Sequence, residues 1–320
     1  MTEPMPNSMT NSTTESLATL ATEQSDPRYS GIDTLPTEDI ARLMNAADAT
    51  VPVAVGRAVP AISAAIDGIA ERMIRGGRLF YVGAGTSGRI AVLDASECPP
   101  TFGTDPELVQ GVIAGGEAAL LRAVEGAEDD AAAGAAVIGE KGVGPGDSVV
   151  GISASGRAPY VVAAVREARR VGALTVGLAC NAATPLTGAA DHPIEVIVGP
   201  EVVAGSTRLK AGTAQKLVLN MISTITMIRS GRTYGNYMVD VVASNAKLVD
   251  RAARIVADIT GAGVPAAREV LEDAGRDVKT AVVMIKRGLA ADDARALLAA
   301  YGDRLAPALA GAAPGARGDA

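Results

Sequence analysis

Two stretches of this 320-residue chain have the residue types to hold an anion: "GAGTSGR" at 83–89 and "SASGRAPY" at 153–160. Each follows an apolar, β-branched run and leads into a helical pattern. A helix N-terminus offers unpaired N–H groups and the positive end of the helix dipole, and Ser or Thr hydroxyls add donors, so either loop suits a phosphate. Gly83, Gly85 and Gly88 also spell a G-x-G-x-x-G fingerprint, which is weak alone. A dinucleotide site expects an acid about 20 residues beyond that loop, at the end of the next strand. Here the next apolar run ends in the glycine-rich "VIAGGE", Val112 to Glu117. Neither loop has a P-loop lysine, so the pair favours a small monophosphate, with a phosphosugar as the natural candidate. The alternative is that the Gly and Ser residues only make tight strand-to-helix turns.

Two carboxylates stand apart from the rest. Glu97 lies in "DASECPP", where Pro99 and Pro100 predict that the helix after the first loop stops, leaving Glu97 in its closing turn. By spacing alone, a solvated surface acid is the simpler reading. The second group, "VEGAEDDA", falls in a helical pattern starting near Glu117, on which Leu121, Val124 and Glu128 recur at i, i+3 and i+7. That spacing puts Glu128 at the edge of an apolar stripe and turns Asp129 and Asp130 outward. A half-buried carboxylate has a raised pKa, which suits proton transfer near neutral pH. Glu125, Glu128 and Asp129 also permit a metal reading, although neighbouring acids on a helix fan apart.

The composition removes other chemistries. His192, the single histidine, precedes a proline and an apolar run and reads as a loop or strand-edge residue, which leaves little room for a His-based triad or zinc site. Cys98 and Cys180 form neither a disulfide framework nor a metal-ligand pair, and a reducing cytoplasm fits them. A net charge of -7 and 2% aromatic residues argue against nucleic acid as a partner. The apolar stretch "KLVLNMISTITMI" is interrupted by Lys216 and Asn220 and falls short of a membrane span. No Lys or Arg precedes Arg28 and no apolar h-region occurs there, so the start reads as a disordered tail rather than a targeting peptide.

The elements that must position these loops are legible as five apolar runs, at 78–83, 109–115, 147–153, 173–179 and 194–199, separated by loops and helical patterns. Because the runs are nearly continuous in apolar residues, they predict an α/β fold with a parallel sheet covered on both faces. Ligands in such sheets sit at the carboxyl ends of the strands. Helices are expected over "PTEDIARLMNAAD", capped by Thr37, and over "VPVAVGRAVPAISAAIDGIAERMIRGG" before the sheet; "GSTRLKAGTAQKLVLNMISTITMIRSG" follows it as one long helix. From about residue 246 short amphipathic helices replace strands. The expected organisation is a disordered tail over 1–30, a sugar-phosphate-binding α/β domain over 31–245, a helical domain over 246–308 and a frayed end over 309–320.

At this level of detail the chain resembles the N-acetylmuramic acid 6-phosphate etherases of the sugar isomerase (SIS) domain group. The resemblance rests on "IDTLPTEDIARLMNAADATVPVAV", "YVGAGTSGRIAVLDASECPPTFG", "AGGE…AVEGAEDD", "GISASGRAPYV" and "AGSTRLKAGTAQKLVLNMISTITMIRSGRTYGNYMVDVVASNAKL", which together span residues 31 to about 250. It implies a homodimeric SIS-type three-layer αβα sandwich with a five-stranded parallel sheet and a small C-terminal helical domain. It implies cleavage of the D-lactyl ether of N-acetylmuramate 6-phosphate to N-acetylglucosamine 6-phosphate and D-lactate in peptidoglycan recycling, without a cofactor or a metal. The family's two catalytic glutamates fall on Glu97 and Glu128, with Glu97 expected as the acid for lactate departure and Glu128 as the base at C2. Thr86, Ser87, Ser153 and Ser155 are expected to hold the 6-phosphate, framed by Gly85, Gly156 and Arg157. Arg89, Ser206, Arg208 and Lys210 are further candidates for the phosphate or the lactyl carboxylate. A non-catalytic sugar-phosphate sensor and an aldose–ketose phosphate isomerase are the rival readings, and retention of both glutamates favours ether elimination.

Overall fold

The computed structural model describes residues 20–241, 243 and 245–311. Helices α1 (Thr37–Asp48) and α2 (Val51–Ile74) precede the first strand, β1 (Leu79–Gly83). The chain continues through α3 (Gly85–Phe102), β2 (Val109–Ile113), α4 (Ala118–Leu121), α5 (Ala131–Glu140), β3 (Ser148–Ser153), α6 (Pro159–Arg170), β4 (Leu174–Ala179), α7 (Pro185–Ala189) and β5 (His192–Glu195). The long α8 (Lys210–Arg229) follows. A hairpin of β6 (Thr233–Tyr234) and β7 (Tyr237–Met238), which the sequence pattern does not announce, leads to α9 (Ala246–Thr260), α10 (Val264–Asp273), α11 (Val278–Arg287), α12 (Ala291–Ala300) and α13 (Leu305–Ala310).

The five long strands pair in parallel in the order β2-β1-β3-β4-β5. Alternate residues build the two faces. Leu79, Tyr81, Val150, Ile152, Val176 and Leu178 pack with α2, α3 and α8, whereas Phe80, Val82 and Val149 pack with residues of α5, α6 and α7. The result is the expected three-layer αβα sandwich. After β1 the chain pairs β2 on one side and then crosses to place β3 on the other, so the strand order reverses between β1 and β3. Loops leaving strands on either side of such a reversal diverge and open a crevice. Both anion-type loops leave these two strands, from Gly83 and Ser153.

At the opposite end of the same two strands Arg78 ties them together. Its backbone N–H and its guanidinium donate to Asp147, at 2.8 Å from N to Oδ1 and 2.8 Å from Nη2 to Oδ2. Burial alone would raise the Asp147 carboxyl, but the Arg78 side chain and the Gly144 and Arg78 N–H groups hold it below its ordinary value.

Several local expectations are corrected. Thr37 is the first residue of α1 rather than its cap, and the cap position is Pro36. β5 begins at His192, two residues earlier than its apolar run, and ends at Glu195. α3 runs through Pro99 and Pro100 to Phe102, ending in a left-handed Gly103 at φ 60. The prolines leave the carbonyls one turn earlier without their helical donors, but their fixed φ is helical, and Cys98 and Phe102 are buried in the core on either side of them. The helical stripe expected through Glu128 is absent: α4 stops at Leu121, Leu121 is 91% exposed, and residues 123–130 turn through Gly126 at φ 73, a backbone state that interrupts a helix.

The expected tail over 1–30 divides. Residues 1–19 lie outside the described residues, whereas residues 20–30 pack on the α/β part, with Leu20 and Thr22 buried and Asn181 Nδ2 donating to Thr22 Oγ1 at 3.0 Å. Of the end expected to fray over 309–320, residues 312–320 are likewise outside, and α13 reaches Ala310. The run Thr37–Ile74 is long and apolar enough to cross a membrane by composition, yet Val51, Val55, Ile62, Ile66 and Ile69 are core residues of the sandwich.

Candidate active site

The crevice between the two loops is a pocket of about 260 Å³ lined by Glu23, Ala84, Gly85, Thr86, Ser87, Glu128, Ile152, Ser153, Ala154, Ser155, Ala158 and Thr207. On the β1 side, Gly83 and Gly88 let strand and helix meet tightly. A Cβ on Gly83 would lie 2.6 Å from the Gly88 nitrogen, and one on Gly88 would lie 2.8 Å from the Gly83 carbonyl. These glycines therefore serve the strand-to-helix turn, and the first turn of α3 presents Gly85, Thr86 and Ser87 to the pocket.

On the β3 side the loop is held by its own serines. Gly156 N–H donates to Ser153 Oγ at 3.1 Å, Arg157 N–H donates to Ser155 Oγ at 3.2 Å, and the two hydroxyl oxygens are 3.3 Å apart. These bonds use hydroxyl lone pairs and fix where the serines point. Two loops and two hydroxyl pairs thus converge on one small polar volume suited to an anion.

Glu128 closes the pocket from a third segment. Its carbonyl accepts from Tyr160 N–H at 3.0 Å, which pins the 123–130 turn to the start of α6. The residue is open to solvent, but its carboxyl sits in the concavity of the pocket. Displaced water and then the neighbouring Asp129 raise its pKa above the ordinary glutamate value. A carboxyl in that state can take a proton as base and return it as acid.

Glu97 occupies a different place. It lies on the solvent face of α3, one helical turn after the 54% exposed Leu93, and it does not line the pocket of its own chain. Its helix is locked to α8 by the buried Asp94, which accepts from Asn220 Nδ2 at 2.5 Å and from Ser223 Oγ at 3.3 Å. Burial raises the Asp94 carboxyl despite these bonds.

The remaining sequence candidates divide. Gly85, Thr86, Ser87, Ser153 and Ser155 line the pocket; Gly156 and Arg157 stand behind it, their N–H groups bound to the serines. Arg89 is turned away, donating to the Leu120 carbonyl at 3.0 Å. Thr207 reaches the pocket where Ser206 and Arg208, its neighbours, do not. Lys210 is buried beside Arg28 and Tyr29 in another cavity; its Nζ donates to the Val198 carbonyl at 2.7 Å, and desolvation lowers its pKa. Among the described residues no three His, Cys, Asp or Glu side chains converge as metal ligands, Glu125, Glu128 and Asp129 included. Cys98 and Cys180 are free, and burial pushes both thiols up to about 12, which makes them poor nucleophiles.

Sequence reasoning missed three residues here. Glu23 comes from the segment expected to be disordered, and its polar surroundings gave no periodic signal. Thr207 was passed over for its charged neighbours. Gln215 is 1% exposed and accepts from Ser87 Oγ at 3.0 Å. It had a signal: Ala211, Ala214, Val218, Leu219 and Ile222 form the buried stripe of α8, and Gln215 is a polar residue within it.

A glucokinase regulatory protein N-terminal SIS domain profile matches residues 61–169, and the SIS domain profile matches residues 136–225. An N-acetylmuramic acid 6-phosphate etherase of Streptomyces avermitilis is 57% identical over 92% of this chain and 95% of its own length. The protein of the same name from Rubrobacter xylanophilus is 56% identical over 91% of this chain and 97% of its own. Among solved structures, a phosphoheptose isomerase from Francisella tularensis overlays with a TM-score of 0.48 at 20% identity, covering 61% of this chain and 100% of that one.

Proposed function

This chain belongs to the N-acetylmuramic acid 6-phosphate etherase family, and we propose that its pocket between the β1 and β3 loops cleaves the D-lactyl ether of N-acetylmuramate 6-phosphate. The products are N-acetylglucosamine 6-phosphate and D-lactate, a step of peptidoglycan recycling. The observation that supports the site most is the raised carboxyl of Glu128 facing a small volume lined by the Thr86, Ser87, Ser153, Ser155 and Thr207 hydroxyls and the first turn of α3, with Glu23 as a second carboxylate at its wall.

Thr86, Ser87, Ser153 and Ser155 hold the 6-phosphate, with Gly85, Gly156 and Arg157 shaping the loops. In the ring-opened sugar the C1 aldehyde acidifies the C2 hydrogen, and Glu128 removes it as base. The electron pair forms the C2–C3 double bond while the C3–O bond breaks, and Glu97 protonates the departing ether oxygen to release D-lactate. Water then adds at C3, giving its proton to Glu97, and Glu128 returns a proton to C2. Atoms balance with two carboxyl groups and one water.

A homodimer explains where Glu97 sits. Leu93, Ile225 and Ile228 are exposed on α3 and α8, with Leu217 and Met221 partly buried among them. Glu97 lies on the same solvent face of α3 as Leu93, so a second copy covering this apolar band buries it at the interface, where it can serve the partner's pocket. The chain works as a soluble protein of the cytoplasm, where its two free thiols remain reduced.

The reaction is tested by running it in deuterium oxide. Proton abstraction at C2 predicts deuterium at C2 of the N-acetylglucosamine 6-phosphate formed, and its absence would point to direct displacement at C3. Sharing of sites is tested by mixing inactive E97Q and E128Q chains. Shared sites predict recovered D-lactate release, because a mixed dimer then holds one site with both glutamates; no recovery places both glutamates in one subunit.

A further inference from the structure

We propose that Gln215 is a positioning residue for phosphate: turning its amide switches Ser87 from a hydroxyl that gives its proton to the protein to one that gives it to the ligand. The inference rests on the sugar-phosphate reading of the pocket.

Ser87 is 6% exposed and lies in the first turn of α3, where it lines the pocket. Its Oγ donates to Gln215 Oε1 at 3.0 Å. In that state the single hydroxyl proton of Ser87 is engaged by the protein, and Ser87 can only accept from the pocket. A phosphate dianion is itself an acceptor, so this arrangement suits it poorly. The other half of the same amide gives the way out. Gln215 Nε2 is buried and has no hydrogen-bond partner among the described residues. Rotating the terminal torsion of Gln215 by half a turn exchanges Oε1 and Nε2 in nearly the same volume. Nε2 then donates to Ser87 Oγ, and the Ser87 proton is released towards the pocket. The exchange leaves an oxygen rather than an amino group unpartnered at the buried site, so it demands no new cavity.

The position of Gln215 is itself fixed. Glu201 is 1% exposed and accepts from the N–H groups of Lys210 and Ala211 at 2.9 and 3.0 Å, capping the first turn of α8. That cap sets the register that brings Gln215 beside Ser87, one turn further along the helix.

The test is a double-mutant cycle on the full chain, read as the Kd of inorganic phosphate by calorimetry and as KM and kcat for N-acetylmuramate 6-phosphate. Loss of the neutral Gln215–Ser87 bond that aims the hydroxyl predicts that Q215L weakens phosphate about fivefold. In an S87A background the same change should alter Kd by less than about twofold, since Gln215 acts through Ser87. KM is expected to rise more than kcat falls. Equal weakening in both backgrounds, or unchanged phosphate binding in Q215L, would overturn the inference and leave the pocket reading standing. If the unsubstituted chain binds no phosphate, the pocket reading falls and the inference with it. Circular dichroism melts check folding, and Q215M takes the place of Q215L in the same cycle if the latter does not fold.

Discussion

The pocket at the carboxyl ends of β1 and β3 is not the largest cavity of the molecule. A volume of about 700 Å³ lies between the end of α8 and the C-terminal helices, lined by Arg232, Asp240, Asp277, Lys279, Arg295 and Asp303 among others. The larger cavity has more charge, yet most of that charge is engaged within the protein. Lys279 Nζ sits 2.7 Å from Asp240 and 2.8 Å from the Asp303 carbonyl, Arg295 binds Asp292 at 2.7 Å, and Asp277 caps Thr280 N–H. The small pocket has hydroxyls, helix N–H groups and two carboxylates, Glu23 and the raised Glu128, none tied up in an ion pair among the described residues. Size and charge content therefore do not locate chemistry; a carboxyl free of ion pairs and facing a concave polar space does.

That contrast can be broken by substitution. The largest expected effect is on E128Q, which removes a proton-transfer group and should lower kcat about 10²–10⁴-fold, measured as D-lactate release. K279M should act on stability instead: it leaves Asp240, already raised by burial, with only the more distant Arg232 at 3.8 Å, and a loss of about 3 kcal/mol is expected in chemical denaturation. Its turnover per folded molecule should be preserved. S153A removes one hydroxyl of the cradle and is expected to raise KM about tenfold, with a smaller change in kcat. An unchanged KM would detach the serine from the phosphate.

The acid limb of the rate profile is a finer test. Because Glu128 is raised, its carboxylate is lost on acidification at a higher pH than an ordinary glutamate's, and activity should fall there. The residual activity of E128Q should lack that limb. A folded-state pKa above the unfolded one also means that Glu128 costs stability as pH rises through the interval between the two values. E128Q is therefore expected to melt slightly higher than the native chain at neutral pH, whereas K279M melts lower.

Much of the sandwich was readable because a buried parallel strand must be apolar along its whole length, and five such runs occur. The convergence of the two loops was not: it follows from the strand-order reversal between β1 and β3, which no local pattern records. Pro99 and Pro100 suggested a helix end because local propensity says so, but burial of Cys98 and Phe102 keeps α3 going to Gly103. For Glu128 a helical spacing predicted a half-buried place on a helix stripe; instead Gly126 turns the chain, and the residue is open to solvent with its carboxyl at the pocket wall. Gln215 was visible as a polar break in an apolar stripe, but its partner Ser87 is distant in sequence.

The central claim is that the small pocket, not the larger cavity, performs the ether cleavage. D-lactate release from N-acetylmuramate 6-phosphate, compared between E128Q and K279M at a temperature where both are folded, tests it most directly. Loss of release in E128Q with release retained in K279M is the predicted result; retained release in E128Q with loss in K279M would contradict it.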